Sequence, residues 1–332
     1  MPRRKKTLVV TGATGFVGRH FVQRILREDT FHVRCLVRPH SDLSALEALG
    51  GDISFHHGDI TREASLQPAF DGAWAVVNLA GYREFWSRSR AHFYQLNEHG
   101  AANVFRACLA AGVKKVVQVS TPLAYGVPAQ IPFDEDSAPG EHPSHYARSK
   151  YRGDQAGWRL YEEQGLPLTI VYLAAVIGAG DDKSTMEVRR AVEKKLPALV
   201  GADTTYTYVY VRDAADAIAR ALLQQDSIGR RYLIGNQRAT TREYFNTIGR
   251  IADVPIPSWN IPESCLLPVA AGMEWLSRRT GVRPMLPLDV LKTTAAGSLL
   301  FDDSRAVEEL GMRYTTLDTA LAEAVAEIRC SR

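Results

Sequence analysis

The chain has 332 residues, 45% of them hydrophobic and 23% charged, with a formal net charge of +3 at pH 7. This length and apolar content are sufficient for a large buried core, which argues against general disorder. A net charge this small gives no reason to expect nucleic-acid binding, which requires basic residues concentrated on one face.

The cysteines and the first residues bear on the compartment. Cys35, Cys108, Cys265 and Cys330 lie far apart and form no metal-binding or CxxC pattern. We therefore expect reduced thiols, no metal site and a cytoplasmic protein. The basic residues 1–6 precede an apolar run too short for a secretory signal, and no apolar run reaches the length of about 18 residues that would span a membrane.

The first half of the chain alternates strand and helix patterns. Its apolar runs are continuous, as in strands buried on both faces of a parallel sheet, and cover residues 8–10, 32–37, 53–56, 75–79, 115–120 and 168–173. Helices are predicted over residues 16–26, 89–111 and 146–163. This order predicts an α/β fold with a Rossmann-type, doubly wound parallel sheet.

The second half is less regular. Strands are predicted over residues 206–211 and 231–234, and helices over 213–224, 240–252, within 264–280, and over 304–310 and 317–328. We divide the chain into a Rossmann domain, residues 1–178, and a smaller mixed α/β substrate lobe, residues 179–332. Segments such as 206–236 are candidates to return to the first domain.

A glycine-rich turn follows the first predicted strand and reads TGATGFVG over residues 11–18. Gly12 permits a tight turn, Gly15 allows the backbone to approach a pyrophosphate, and Gly18 allows close helix–strand packing. The free amides of the next helix attract phosphates. This context favours a dinucleotide site over a purely structural turn. The predicted contacts of the turn are Gly12, Thr14, Gly15, Phe16, Val17 and Gly18.

The end of the second strand bears on the choice of cofactor. It reads LVRPHS, with no acid before Asp42 to bind the ribose hydroxyls of NAD. Arg38 fits the 2′-phosphate of NADP as a fork-shaped cationic donor, so we predict NADP (NADPH) in preference to NAD. The alternative is an exposed strand-end arginine. Asp59, followed by Ile60, is a candidate acceptor for the adenine amine or a turn aspartate.

The candidate reacting groups lie further along the chain. Tyr146 and Lys150 are four residues apart, which places them on one helix face. A free tyrosine has a pKa of about 10, and a nearby ammonium would lower it and make the phenol an acid or base. Ser120 and Thr121 end the fifth strand, where either hydroxyl could polarise a substrate carbonyl or cap the next loop.

The chain resembles the extended short-chain dehydrogenase/reductase family, which includes NAD(P)-dependent epimerases and dehydratases, dihydroflavonol reductases and 3β-hydroxysteroid dehydrogenases. The resemblance rests on TGATGFVG at 11–18, NLAG at 78–81, NEHG at 97–100, YARSK at 146–150, YVYVRD at 208–213 and FDDSRA at 301–306.

This resemblance implies further roles. Leu79, Ala80 and Gly81 lie near the cofactor, and Asn97 and Ser120 support the site. The catalytic hydroxyl lies four residues before Tyr125, which selects Thr121 over Ser120, beside Tyr146 and Lys150. Family members bind the substrate between the domains, and many are homodimers joined through two helices, here 89–111 and 146–163.

The predicted partner is a small-molecule substrate. Large apolar groups occur in residues 82–89, with Tyr82, Phe85 and Trp86, and in 265–276. If these line the cleft, the substrate is partly apolar. The sequence favours an NADPH-dependent reductase or dehydrogenase acting on a ketone or secondary alcohol. The alternatives are a nucleotide-sugar epimerase or dehydratase and a non-catalytic NADP-sensing protein.

Overall fold

The structure is a computed structural model that describes residues 5–180 and 182–330. Its strands are β1 Lys6–Thr11, β2 Phe31–Val37, β3 Ile53–His57, β4 Ala75–Asn78, β5 Lys115–Ser120, β6 Leu168–Leu173, β7 Ala175–Ile177, β8 Leu199–Val200, β9 Thr205–Tyr210, β10 Arg231–Ile234, β11 Gln237–Thr240 and β12 Asn260–Ile261.

The α-helices are α1 Phe16–Leu26, α2 Ser44–Glu47, α3 Gln67–Phe70, α4 Ala91–Tyr94, α5 Ala101–Ala110, α6 His145–Gln164, α7 Asp182–Val192, α8 Val211–Leu223, α9 Thr241–Ala252, α10 Glu263–Thr280, α11 Leu288–Ala295, α12 Ser304–Leu310 and α13 Leu317–Cys330. Short 3₁₀ helices cover Glu63–Ser65, Pro122–Tyr125 and Gln225–Ser227, and a π-helical turn covers Gln95–Gly100.

Seven parallel strands form the main sheet, in the order β10-β6-β5-β4-β1-β2-β3. Strand β1 lies between β2 and β4, so the strand order reverses beside β1. In doubly wound sheets, ligands bind at the carboxyl ends of the strands at such a reversal. The predicted fold class is confirmed.

The burial of the strands agrees with the continuous apolar runs. All four residues of β4 and all six of β6 are buried. Two helix pairs, α1 with α8 and α5 with α6, pack on this sheet. An ion pair at 2.7 Å between Arg24 Nε and Asp216 Oδ1 joins α1 to α8.

The C-terminal part of the chain contributes one strand to the main sheet and also forms most of two smaller sheets. Strand β10 pairs with β6 in the main sheet, whereas β11, β9 and β7 form a mixed three-stranded sheet and β12 and β8 a two-stranded one. A second apolar cluster lies under these small sheets and includes Val188, Tyr244, Ile248 and Leu321. The smaller lobe therefore has its own core.

The helix predicted over residues 89–111 is divided in the structure. A π-helical turn at Gln95–Gly100 separates α4 from α5. The backbone of α6 comes so close here that a Cβ on Gly153 would overlap the carbonyl oxygen of Asn97. Single π-helical turns of this kind are frequent at functional sites.

The four cysteines are free thiols, with Cys35 and Cys108 buried and Cys265 and Cys330 exposed. Burial raises the pKa of the Cys35 thiol to about 12, so this thiol is protonated and inert at neutral pH. Across residues 5–180 and 182–330, every helix is too short or too polar to cross a membrane.

Candidate active site

The glycine turn lies between the carboxyl ends of β1 and β4. Gly12 has a φ of +68°, in the left-handed region that favours glycine. A Cβ at this position would lie 2.6 Å from the carbonyl carbon of Leu79 and 2.7 Å from the amide nitrogen of Ala80. A Cβ on Gly18 would overlap the carbonyl oxygen of Gly12. Both glycines therefore allow backbones to approach more closely than any side chain would permit.

The start of α1 has the features of an anion-binding site. Thr14 and Gly15 are exposed, Phe16 is buried and Val17 is partly buried. Among the described residues, no side chain caps the first turn of α1 at Gly15. The first amides of the helix therefore lack a side-chain acceptor, and together with the helix dipole they favour a bound phosphate.

The loop after β4 brings the predicted cofactor residues toward Lys150. The Leu79 amide donates to the Thr11 carbonyl at 3.1 Å, and the Ala80 amide donates to the Thr11 hydroxyl at 3.2 Å. Gly81 follows, and a Cβ placed there would lie 4.0 Å from Lys150 Nζ. The loop is thus held against β1 and ends beside the ammonium.

Asn97 joins that loop to the helix that carries Tyr146. Its side chain is buried, and Oδ1 accepts from the Tyr82 amide at 2.7 Å. Its Nδ2 donates to the Tyr82 carbonyl and to Ser149 Oγ, both at 3.0 Å. The π-helical turn places this amide between two elements, which suits the predicted supporting role.

Arg38 and Asp59 lie at the ends of the adjacent strands β2 and β3. Arg38 is exposed, and Ile60 after Asp59 is buried. Asp59 Oδ1 accepts from Thr61 N at 2.8 Å and Thr61 Oγ1 at 2.7 Å, the geometry of a turn aspartate. Burial acts to raise the pKa of Asp59, but these hydrogen bonds and the nearby charges of Arg62 and Arg38 outweigh it and lower that pKa.

Ser120 and Thr121 have different surroundings at the end of β5. The Ser120 side chain is buried and donates to Asp154 Oδ2. Thr121 is partly exposed, accepts weakly from the Leu123 amide at 3.4 Å, and lies near enough to Tyr146 to act to lower the pKa of that phenol. The structure therefore brings Thr121, not Ser120, to the Tyr146 hydroxyl.

Tyr146 and Lys150 lie one turn apart on α6. The Tyr146 ring packs against Phe85, with ring centroids 5.2 Å apart. Lys150 is 8% exposed, and its Nζ donates to the carbonyl of Val119 at 2.9 Å. The ammonium is therefore fixed against the end of β5, beside the predicted catalytic hydroxyls.

The structure corrects the expected pKa of Tyr146. We expected Lys150 to lower it, whereas burial raises the pKa of Tyr146 to about 12. Thr121 and Arg83 lower it and Asp154 raises it, each by less than burial does. Burial also lowers the pKa of Lys150, against the opposing effect of Asp154. Desolvation outweighs the charge that the spacing suggested.

Asp154 is the site residue that the sequence interpretation missed. It lies four residues after Lys150, is 2% exposed, and accepts a hydrogen bond from Ser120. Burial raises its pKa to about 6, against the opposing effects of Lys150 and Ser120. An acid at four-residue spacing after the lysine was the available signal, but the same spacing is common on solvated helix faces.

A chain of buried polar side chains connects the glycine turn to the strand beside Asp154. Thr11 Oγ1 donates to Asn78 Oδ1 at 2.5 Å, and Asn78 Nδ2 donates to Gln118 Oε1 at 2.7 Å. Gln118 also acts on Asp154 as a hydrogen-bond partner that lowers its pKa. Neighbouring strands thus share one polar network beneath the site.

The C-terminal lobe approaches the same helix. Asp289 Oδ2 of α11 accepts from the His145 amide at 2.9 Å, directly before Tyr146. A pocket of about 780 Å³ between α6 and α11 is lined by His145, Asp289 and Leu267, among others. In contrast, Trp275 and Leu276 of the predicted apolar segment are 57% and 54% exposed. Only part of that segment faces the region between the lobes.

Comparisons with known proteins agree with this arrangement. The NAD dependent epimerase/dehydratase family matches residues 8–235. A provisionally named dihydroflavonol 4-reductase of Synechocystis sp. is 29% identical, over 95% of this chain and 92% of that protein. Sterol demethylase protein B of Methylococcus capsulatus is 27% identical, over 97% of this chain and 98% of that protein.

Solved structures give the same result. The crystal structure of gox2253 superimposes with a TM-score of 0.83 at 30% identity, covering 98% of this chain and 99% of that one. The chain belongs to the NAD-dependent epimerase/dehydratase family, within the extended short-chain dehydrogenase/reductases, and is an NAD(P)-dependent enzyme. The family predicted from the sequence is confirmed.

The residues present fit a dinucleotide. The glycine turn has no Cβ atoms at its two crowded positions, Gly12 and Gly18, and α1 has an uncapped first turn among the described residues. The residues that would hold the group are the turn 12–18, Arg38, Asp59, the loop 79–81, Tyr146 and Lys150. The opening between β1 and β4 ends beside Tyr146, where a nicotinamide ring would meet a substrate.

The raised pKa of Asp154 predicts how stability depends on pH. An aspartate ionises at about 3.9 in an unfolded chain, so the folded state binds this proton more tightly. Asp154 therefore stabilises the fold at low pH, and this contribution is lost as pH rises from about 4 to about 6. Asp154→Asn should gain stability relative to the wild type over that interval, as measured by urea unfolding.

Asp216→Asn is the matched control. Burial acts to raise the pKa of Asp216, but its hydrogen bonds with Arg220 and Arg24 outweigh it and lower that pKa. Its stabilising contribution is present at neutral pH and is lost as pH falls through the lowered pKa. The two variants should therefore differ from the wild type in opposite directions. Parallel curves for Asp154→Asn and the wild type would contradict the assignment.

Proposed function

We propose that the enzyme is an NADPH-dependent reductase or dehydrogenase acting on a ketone or secondary alcohol of a partly apolar substrate. The observation that carries the proposal is the position of Thr121 beside Tyr146, with the Phe85 ring packed against the phenol at a tilt of 58° and Lys150 one turn away. Two hydroxyl groups can donate to the same carbonyl oxygen, and the aromatic ring beside them can contact an apolar substrate. The arrangement therefore suits a ketone on an apolar molecule.

In the reductive direction, Thr121 and Tyr146 bind the substrate carbonyl oxygen, and Tyr146 donates its proton to that oxygen. The bound nicotinamide supplies the hydride. Because burial raises the pKa of Tyr146 to about 12, the phenol carries its proton at neutral pH, and donation of that proton requires groups that stabilise the phenolate. Lys150, held by the Val119 carbonyl, stabilises the phenolate left behind and lies where it can orient the ribose.

The apolar character of the substrate is inferred from the loop over Tyr146. The Tyr82 hydroxyl donates to the Trp86 carbonyl at 2.7 Å, which folds the loop back on itself and holds Phe85 over the phenol. Relatives along most of the chain include the sterol demethylase protein described above and an Arabidopsis thaliana 3beta-hydroxysteroid-dehydrogenase/decarboxylase, 26% identical over 91% of this chain and 75% of that protein. These names support a flat apolar substrate.

The preference for NADPH is supported by the ends of β2 and β3. Arg38 is exposed at the end of β2, where the chain continues through Pro39 and His40 without an acid. Asp59, the nearest acid after β3, is engaged by Thr61. A cationic fork beside the adenosine ribose favours a 2′-phosphate over a free hydroxyl.

An epimerase is the second candidate. A UDP-glucose 4-epimerase of Neisseria meningitidis is 31% identical over 44% of this chain. Such a reaction would use Thr121, Tyr146 and Lys150 to oxidise first and then to return hydride to the other face.

We also propose, from the family resemblance, a homodimer joined through α5 and α6 in the cytoplasm.

One test of the proposed function concerns Tyr146. Tyr146→Phe removes the proton donor and should lower kcat for ketone reduction by about 100-fold or more, while NADPH binding is retained. Tyr151→Phe, the same change five residues along α6 and on another face, is the control and should leave the rate near that of the wild type. A Tyr146→Phe enzyme with normal turnover would remove Tyr146 from the mechanism.

The second prediction concerns Arg38. Arg38→Ala should weaken NADPH binding by about tenfold or more and change NADH binding little, because a charge-assisted contact to the 2′-phosphate is lost. Titration of cofactor fluorescence measures both constants. The control is Arg62→Ala, which removes a nearby arginine that follows Asp59. Equal weakening of both cofactors by Arg38→Ala would refute the 2′-phosphate contact.

The third prediction separates the two reactions. Purified enzyme with NADPH should oxidise the cofactor stoichiometrically in the presence of cyclic apolar ketones, as followed by absorbance. Interconversion of UDP-sugars without net cofactor change would favour the epimerase. Tight NADP binding without turnover on either panel would favour the cofactor-sensing alternative.

A further inference from the structure

The second half of α10 and the segment after it carry large exposed apolar side chains. With Val269 of the same helix, they are here called the outer stripe, which consists of Val269, Trp275, Leu276, Val282 and Met285. Their exposed fractions are 53%, 57%, 54%, 68% and 80%. Large apolar residues exposed as a group mark interaction sites on soluble domains more often than isolated ones do.

The orientation of α10 explains the exposure. Its buried positions are the small residues Ala270 and Ser277, seven apart, on the side that packs toward α11. Val269 and Leu276, also seven apart, are exposed on another side. Seven residues are two helical turns, so each pair lies on one face. A surface helix ordinarily buries its large apolar side chains, whereas α10 presents them outward.

Arginines surround the outer stripe. The Arg279 guanidinium lies 4.1 Å from the centre of the Trp275 ring. A Cβ on Gly281 would lie 3.6 Å from Nη1 of Arg88, so this guanidinium flanks the end of α10. Residues 82–92 and 263–285 together contain six arginines, no lysine or aspartate, and three glutamates. With Arg278 paired to Glu274 and Arg283 to Glu84, six arginines against three glutamates leave a formal net charge of +3 around the stripe.

The outer stripe is connected to the active site. Arg283 Nη2 forms an ion pair at 2.8 Å with Glu84 Oε2, and Glu84 directly precedes Phe85. The Phe85 ring in turn lies against Tyr146, with centroids 5.2 Å apart. The segment after α10 is thus joined through this ion pair to the loop that packs against the phenol.

The charge around the outer stripe favours one kind of binding partner over another. A second copy placed on this face by a two-fold axis would bring the same arginines together, and like charges across an interface are unfavourable. An anionic lipid surface offers acyl chains for the stripe and phosphates for the arginines. Exposed tryptophan and leucine with arginines nearby are a combination that interfacial helices also use.

We propose that the outer stripe docks the enzyme peripherally on an anionic lipid surface. The stripe enters the interface between headgroups and acyl chains without crossing the bilayer, and the loop over Tyr146 then faces the membrane. Resting on the proposed function, this placement would allow a partly apolar substrate to pass from the lipid to the active site.

Vesicle sedimentation tests the docking with full-length enzyme. Vesicles of phosphatidylcholine with about 30% phosphatidylglycerol should sediment the wild type at about 0.1 M salt, and pure phosphatidylcholine vesicles should sediment about tenfold less. Val282→Ser/Met285→Ser should lose about tenfold in binding to the anionic vesicles. The matched control Leu223→Ser/Val307→Ser removes two side chains that are each 43% exposed elsewhere, and should bind as the wild type does.

Two results would overturn the docking. One is a wild-type protein that fails to sediment with anionic vesicles. The other is light scattering that shows a dimer which Val282→Ser/Met285→Ser alone dissociates, because the stripe would then cover a second copy. Failure of the proposed reductase function is distinguishable, since it would appear as loss of ketone reduction without vesicles while vesicle binding remained intact.

Discussion

A buried positive charge is the constraint on which the active-site end of the sheet depends. Lys150 must keep its ammonium out of water, and the Val119 carbonyl and the nearby Asp154 carboxylate replace part of its lost hydration. Asp154 in turn requires the Ser120 hydroxyl. Because Ser120 turns inward to meet this need, the next residue, Thr121, is directed to the Tyr146 hydroxyl. The arrangement of the proposed catalytic side chains thus follows from charge compensation beneath them.

A second constraint operates at the other end of the cleft, where two backbones meet without side chains between them. Gly12 lies against the Leu79–Ala80 peptide, and the Thr11 hydroxyl accepts from the Ala80 amide. Thr11 also donates to Asn78, whose amide continues to Gln118. The glycine turn is therefore joined by buried hydrogen bonds to β4 and β5, the strand that ends beside the proposed reacting groups.

Much of the fold and of the candidate site was predictable from the sequence. The continuous apolar runs located the first six strands of the main sheet to within a few residues, and the helix predicted over 146–163 is α6, His145–Gln164. What was missed depends on distant neighbours. Asp154 has the spacing of a solvated charge, but it is buried where α6 packs in the fold, with Ser120 of β5 as its hydrogen-bond donor. The pKa of Tyr146 was expected in the wrong direction, because residue spacing reports a nearby ammonium but not the loss of water around the phenol.

The π-helical turn at Gln95–Gly100 constrains the length of the chain as well as its composition. Each residue of an α-helix advances the side chains by about 100° around the axis. Removing a single residue from this turn would restore a regular helix but rotate everything before it, including the loop that Asn97 fastens through Tyr82. Insertions and deletions are therefore far less tolerable in this segment than substitutions on its exposed side, so residue count is itself a functional property of the helix.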